Sequence, residues 1–184
     1  LSELVEPEDV ENLRSLLVAL MASAPRMADA VIHRAHVMDS LIDPAFADVV
    51  RRKEALLGKI ENFFADARDY QDVIDRARIL GQEQLFLIAA GLLAGSLDAR
   101  RAGEQFTTLA EALLLRLFDS VRREFEKRHG VIPGAKVALL AFGKMASREM
   151  TARSDLDFIM LYDLGDTEES NGKSHCLQAS TTRG

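Results

Sequence analysis

Residues 137–163 read VALLAFGKMASREMTARSDLDFIMLYD, and this stretch decides the fold of the second part of the chain. An apolar run from 137 to 142 leads into Gly143 and Lys144, and a short polar segment follows. Ser-Asp-Leu-Asp, residues 154–157, then opens a second apolar run. This order predicts a strand, a glycine turn, a short helix and a second strand that starts with the two acids.

Asp155 and Asp157 are the candidate catalytic and metal-binding residues of this stretch. Side chains alternate between the two faces of a strand, so both carboxylates are expected to point the same way. Their Cα atoms would lie roughly 7 Å apart at the usual rise per residue. Two carboxylates at that separation can jointly hold Mg²⁺, which prefers oxygen ligands and assists displacement at phosphorus.

The residues before the acids are candidates for binding a nucleotide. Gly143 allows the backbone to approach a ligand closely, and the helix after it offers backbone N–H groups to phosphate. Lys144 can add a point charge, and Ser147 and Ser154 are weaker candidates. Taken singly, Asp-x-Asp or Gly-Lys is more often a turn or a helix cap. The combination, with an apolar strand on either side, favours a nucleotidyltransferase site.

The pattern Gly-Lys-x-x-x-Arg-Glu-Met-Thr-Ala-x-Ser-Asp-Leu-Asp-x-Ile-x-Leu-Tyr-Asp, residues 143–163, resembles the glutamine synthetase adenylyltransferase family. That family belongs to the polymerase-beta-like nucleotidyltransferase superfamily. The resemblance extends into residues 28–44, 63–70 and 76–83. Members of the family contain two similar catalytic halves in tandem. The motif in this chain resembles that of the C-terminal, adenylylating half more closely.

The resemblance implies an enzyme that transfers AMP from ATP to a tyrosine of glutamine synthetase and, in its bifunctional form, removes it by phosphorolysis. Such an enzyme regulates nitrogen assimilation, and the nitrogen-regulatory PII protein is a further partner of the family. By the same resemblance, Asp155 and Asp157 would hold Mg²⁺, and Gly143 and Lys144 would meet the triphosphate of ATP. The family has a third metal carboxylate on a later strand, so we expect these 184 residues to be inactive alone.

Two departures from the family pattern are visible. Ala146 stands where the family usually has glycine, which costs little if the position is helical. Residues 174–184 fit the family poorly, and the chain lacks an initiator Met. We therefore expect a fragment that is cut inside its catalytic domain.

Composition narrows the classes of partner and compartment. The net charge of −6 lacks the basic excess of a general nucleic-acid-binding protein, although it allows a single nucleotide to bind. No run reaches the ~18 apolar residues of a membrane span. A single cysteine, Cys176, excludes an internal disulfide and suits a reducing compartment, so a cytoplasmic protein is expected.

Hydrophobic periodicity predicts an α+β chain in two parts. Residues 1–130 read as a mainly helical domain, and residues 131–184 as the first part of a truncated nucleotidyltransferase α/β domain. The clearest helical segments are 54–66, 70–94 and 103–128. The tail after Gly165 is expected to be mobile unless further sequence packs on it.

Other readings remain open. The chain could belong to another protein or small-molecule nucleotidyltransferase, or act only as a helical interaction module. His33 and His36 are three apart, but without a matching third ligand they favour surface histidines over a metal site. An acidic stripe with interleaved arginines favours a solvated, salt-bridged helix face; its acids are Asp66, Asp69, Asp72 and Asp75.

Overall fold

The computed structural model describes residue 18 and residues 52–93, 97–165 and 170–172. Three long helices come first in this part of the chain; they are α1 (Lys53–Phe64), α2 (Tyr70–Leu93) and α3 (Ala99–His129). The second part contains β1 (Lys136–Ala141), a short helix α4 (Gly143–Ser147) and β2 (Phe158–Asp163). The protein is therefore mainly helical with a small two-stranded antiparallel sheet, which agrees with the predicted α+β class.

The long helix α3 is delimited by side chains and glycine at its two ends. Asp98 caps its N-terminus, because its Oδ1 accepts a hydrogen bond from the backbone N–H of Arg101 at 2.8 Å. Three basic residues lie in the last turn, and Gly130 follows with φ 76°. The apolar periodicity starts at residue 103, but this cap lets the helix begin four residues earlier.

The side chains of Asp69 and Asp72 both accept backbone hydrogen bonds at the start of helix α2. Asp69 Oδ1 accepts from the N–H of Asp72 at 2.9 Å, and Asp72 Oδ2 accepts from the N–H of Arg68 at 3.0 Å. Arg76 Nε also pairs with Asp72 at 3.0 Å. Asp72 and Asp75 of the acidic stripe thus form salt bridges on the helix, as predicted, whereas Asp66 and Asp69 precede α2 and Asp69 caps it.

The core lies mainly between α2 and α3, with one face of α1 packed on it. Its most deeply buried hydrophobic side chains are Leu80, Phe86, Ala90, Leu97, Ala102 and Leu109. Met145 and Met150, from the segment between the strands, are only 4% and 5% exposed and belong to the same cluster. Residues on both sides of position 130 therefore share one hydrophobic cluster.

The two strands pair in register from Lys136 opposite Asp163 to Ala141 opposite Phe158. The sequence predicted that the second strand starts with the acids, whereas β2 begins at Phe158, one residue after Asp157. One more hydrogen bond continues the pairing, from the N–H of Phe142 to the carbonyl of Asp157 at 2.8 Å. Every side chain of β2 is exposed, and so is most of β1.

Part of the predicted mobile tail is held by the linker that follows α3. Asn171 donates its N–H to the carbonyl of Val131 at 3.0 Å, and its Oδ1 accepts from the N–H of Val131 at 2.9 Å. Ser170 beside it is 9% exposed. No local sequence pattern predicts this contact, because the two residues are 40 positions apart.

Several sequence predictions fall on residues outside the described ranges. These are the helices predicted before residue 52, His33, His36 and Cys176. Within the described ranges, no helix is long and apolar enough to cross a membrane.

Candidate functional site

The structure brings Asp157 and Gly143 together at one end of the sheet. Gly143 has φ 54°, a backbone conformation that favours glycine. A Cβ placed on Gly143 would lie 3.0 Å from Asp157 Oδ2. The carboxylate therefore occupies the space that the missing side chain leaves, so this glycine is needed both for its conformation and for its small size.

Asp155 and Asp157 are both exposed at the entrance to β2. They supply two carboxylates within three residues, and carboxylate oxygens are ligands that suit Mg²⁺. Among the described residues there is no cluster of three or more His, Cys, Asp or Glu side chains that could hold a metal. The donor set on this part of the chain is thus two carboxylates, which can fill part of an oxygen coordination shell.

Lys144 is exposed in the first turn of α4. Its ammonium is free to move toward a ligand at the Gly143 turn, because the described contacts of Lys144 involve its backbone carbonyl, which accepts from Glu149 N–H at 2.9 Å. Ala146 lies within α4, so its replacement of the family's usual glycine costs little there.

Ser147 and Ser154, the two weaker candidates, are engaged in local structure. Ser147 Oγ donates to Glu149 Oε2 at 3.2 Å, with a longer contact of 3.4 Å to the Lys144 carbonyl. Ser154 Oγ accepts from the N–H of Thr151 at 2.9 Å and lies 3.1 Å from Thr151 Oγ1. Both hydroxyls therefore shape the loop that carries the site, and a ligand would have to compete for them.

One residue of this segment was not singled out from the sequence. Arg148 reaches across to α3, where Nη1 contacts Glu111 Oε1 and Oε2 at 3.0 and 3.1 Å and Nη2 contacts Thr108 Oγ1 at 3.0 Å. The sequence feature that could have indicated this contact is Glu111, an acid inside an otherwise apolar run of α3. Its partner lies 37 positions away, which no local pattern reveals.

A polar cavity of about 400 Å³ lies beside this contact; its lining residues are Lys53, Arg101, Glu104, Gln105, Thr108 and Arg148. Water in the cavity can reach the guanidinium, which agrees with the 37% exposure of the Arg148 side chain. The ion pair with Glu111 is therefore only partly shielded from solvent.

A family model and individual relatives both match this chain and agree on one protein family. The family model described as glutamate-ammonia ligase adenylyltransferase matches residues 14–183. A bifunctional glutamine synthetase adenylyltransferase/adenylyl-removing enzyme of Brucella suis biovar 1 (strain 1330) is 46% identical over 163 residues, covering 88% of this chain and 17% of that protein. The enzymes with the same name from Agrobacterium fabrum and Xanthobacter autotrophicus are 44% and 42% identical, and the match covers 87% and 83% of this chain.

This chain spans only 16% and 15% of the length of those two enzymes. The family match nevertheless extends over nearly all of the chain, including α1 to α3 and the whole segment from β1 to β2. The chain therefore belongs to the glutamate-ammonia ligase adenylyltransferase family.

Proposed function

We propose that these residues form one part of a longer enzyme that transfers AMP from ATP to a tyrosine of glutamine synthetase. In this reaction the tyrosine oxygen forms a bond to the α-phosphorus, the bond from that phosphorus to the bridging oxygen of the β-phosphate breaks, and pyrophosphate leaves. The names of the relatives and the family match support this reaction class. We also propose that residues 131–184 are the opening piece of the nucleotidyltransferase domain.

The observation that supports this proposal best is the placement of the Asp157 carboxylate against Gly143. A carboxylate and a glycine turn at one point suit a nucleotide whose triphosphate passes over the turn. Transfer at phosphorus depends on position and on neutralisation of charge, so the absence of a nucleophilic side chain from the predicted set is no obstacle.

We propose that Gly143 and Lys144 contact the triphosphate and that Asp155 and Asp157 hold Mg²⁺. The ion would neutralise negative charge on the phosphates when it is bound. The two aspartates would fix its place on the chain, Gly143 would leave room for the Asp157 carboxylate, and Lys144 would add a cation at the turn. Ser147 and Ser154 would shape the loop, and regulation through PII and removal of AMP by phosphorolysis remain predictions.

The test is to make Asp155→Asn and Asp157→Asn, one at a time, in the complete protein. Asparagine keeps the shape of the side chain and loses its charge, so single-turnover AMP transfer to glutamine synthetase should fall by on the order of 10²–10³ or more. Tm should stay level or rise, because two neighbouring acids repel each other when no metal is bound.

Asp163→Asn is the matched control. Asp163 lies at the other end of β2, where its Oδ1 accepts from the N–H of Gly165 at 3.1 Å. This variant should retain normal transfer. Near-normal transfer in Asp155→Asn or Asp157→Asn would rule out the proposed site, and loss of transfer together with a large fall in Tm would indicate that these acids only cap the turn.

A further inference from the structure

Helix α3 and the loop of the candidate site are joined by a side-chain contact of Arg148. The guanidinium of Arg148 contacts both carboxylate oxygens of Glu111 and the hydroxyl of Thr108, at 3.0 to 3.1 Å. Thr108 Oγ1 donates its own hydrogen to the carbonyl of Glu104 at 2.8 Å. Its hydroxyl is therefore turned so that a lone pair faces Arg148.

The backbone of Arg148 is unusual for an arginine. Its φ of 61° and ψ of 33° are left-handed, a conformation that ends many helices but is normally supplied by glycine. The helix-ending hydrogen bonds are present, from Glu149 N–H to the Lys144 carbonyl at 2.9 Å and from Arg148 N–H to the Met145 carbonyl at 3.4 Å. A side chain costs conformational energy here that glycine would not, and the contacts of the Arg148 side chain with α3 offset part of that cost.

Gly103 provides a second contact between α3 and the same segment. A Cβ on Gly103 would lie 3.1 Å from the carbonyl oxygen of Arg148 and 3.3 Å from Glu149 Cα. Met145 and Met150 are buried on either side of Arg148. The turn that ends α4 is thus seated on α3 by close backbone packing, by two buried methionines and by the arginine contact.

We propose that Arg148, held by Glu111 and Thr108, is a positioning residue that fixes α4, and with it Gly143, relative to Asp157. The inference deepens the proposed function and rests on it for its activity readout. Gly143 is the first residue of the five-residue helix α4 and Arg148 is its C-cap, so a tilt at one end displaces the other. Asp157 is held at the other end of α4, where its carbonyl accepts a hydrogen bond from the N–H of Phe142, the residue between β1 and α4.

The expected sizes of the changes in Tm and kcat distinguish a positioning role for Arg148 from a purely stabilising one. The Arg148 and Glu111 side chains are 37% and 39% exposed, and ion pairs of that kind add little to stability. Misplacement of a reacting group by about 1 Å can cost about 10²-fold in rate. Loss of the pair should therefore lower kcat strongly while Tm changes by only a few degrees.

The experiment compares Glu111→Gln with Glu124→Gln in the complete protein. Both residues lie on α3, but the ion pairs of Glu124 among the described residues are with Lys127 and Arg128 of its own helix. We expect Glu111→Gln to lower kcat for AMP transfer by about 10–100-fold with little change in KM for ATP. Glu124→Gln should leave both constants unchanged.

Two Arg148 variants separate the side chain from the backbone. Arg148→Gly removes the contacts but relieves the left-handed strain, so it should keep or raise Tm and still lose activity. Arg148→Lys keeps the charge but cannot bond Glu111 and Thr108 together, so it should recover only part of kcat.

Hydrogen exchange provides a readout that does not depend on the reaction. The N–H of Phe142 is bonded to the carbonyl of Asp157, and the N–H of Glu149 is bonded to the carbonyl of Lys144. Both bonds should open more often when the turn at Arg148 is no longer held on α3. These two amides should therefore exchange faster in Glu111→Gln and in Arg148→Gly than in Glu124→Gln. If the unmodified protein transferred no AMP, the proposed function would fail, and exchange would still test the inference. Normal kcat or normal exchange in Glu111→Gln overturns it, as does a large fall in Tm that accounts for the lost activity.

Discussion

Position 143 requires glycine for two reasons, its backbone conformation and the space that the Asp157 carboxylate occupies. The two reasons can be tested separately. Its φ of 54° disfavours any side chain, and a Cβ would meet Asp157 Oδ2 at 3.0 Å. Gly134 has φ 81° but open space around the position of a Cβ. The two glycines therefore differ in the carboxylate contact while they share the left-handed backbone.

We predict that Gly143→Ala and Gly134→Ala both lose stability, by about 1 kcal/mol from backbone strain. Only Gly143→Ala should also reduce AMP transfer in the complete protein, because it displaces the Asp157 carboxylate. Thermal melting and single-turnover transfer measure the two effects. Equal transfer rates in both variants would contradict a role for Gly143 beside Asp157.

Gly58→Ala serves as the control for the substitution itself. Gly58 lies inside α1 with open space around it, so alanine should stabilise the helix by about 0.5–1 kcal/mol. It should leave transfer unchanged.

At the scale of single residues, the sequence predicted the members of the site that are close together along the chain. The glycine turn and the two acids form one motif, and the structure places Asp157 at the turn. The contacts of Arg148 could not be predicted, because Glu111 and Thr108 are 37 and 40 positions away. The roles of Ser147 and Ser154 in the loop depended on hydroxyl partners that a pattern does not specify.

Among the elements, α2 starts with a cap that includes a carboxyl of lowered pKa, Asp72. The backbone N–H of Arg68 and the guanidinium of Arg76 hold the pKa of Asp72 below its ordinary value of 3.8. A carboxyl whose pKa is lower in the folded state adds stability above its unfolded pKa. That stability is lost as pH falls through the folded pKa.

We predict that Asp72→Asn lowers Tm at neutral pH and that the difference from the unmodified protein shrinks as pH falls below about 4. Melting curves between pH 7 and pH 3 measure it. Asp75→Asn is the control, because the contacts of Asp75 within the described part of the chain are an exposed pair with Arg78 at 3.6 Å and a hydrogen bond of 3.4 Å from Gln71. A difference that stayed constant with pH would show that the cap does not depend on the charge of Asp72.

The boundaries of the elements could be predicted wherever a cap or a change of period marks them. The predicted segments 54–66 and 70–94 agree with α1 and α2 to within two residues. Segment 103–128 started late because the first turn of α3 has two arginines and only alanine as its apolar residue, whereas the Asp98 cap defines that end. For β2 the pattern placed the start at the acids, but the ladder begins where the side chains become continuously apolar.

At the scale of the whole molecule, the helices and the sheet differ in how they are stabilised. α2 and α3 bury Leu80, Phe86 and Phe106 between them. The exposed side chains of β2 include Ile159, Leu161 and Tyr162, at 46%, 50% and 61% exposure. A two-stranded sheet without a packed face is marginally stable.

We predict that hydrogen exchange in these 184 residues is slowest in the middle of α2 and α3 and much faster in β1 and β2. The helix amides can exchange only when the core opens, whereas the strand amides can exchange when the two strands separate from each other. Mass spectrometry of peptides after deuterium labelling would show the contrast. Equal protection of the strands and the helices would mean that the sheet is covered by something the described residues do not include.

The exposed two-stranded sheet has a practical consequence for purification. Its apolar side chains, and the backbone groups along the outer edges that the described residues leave unpaired, form a template on which another chain can add a strand. At high concentration the isolated piece should self-associate through β2, whereas a charged substitution such as Met160→Lys should keep it monodisperse. The strand that carries the candidate acids into place is thus also the part of the molecule most exposed to aggregation.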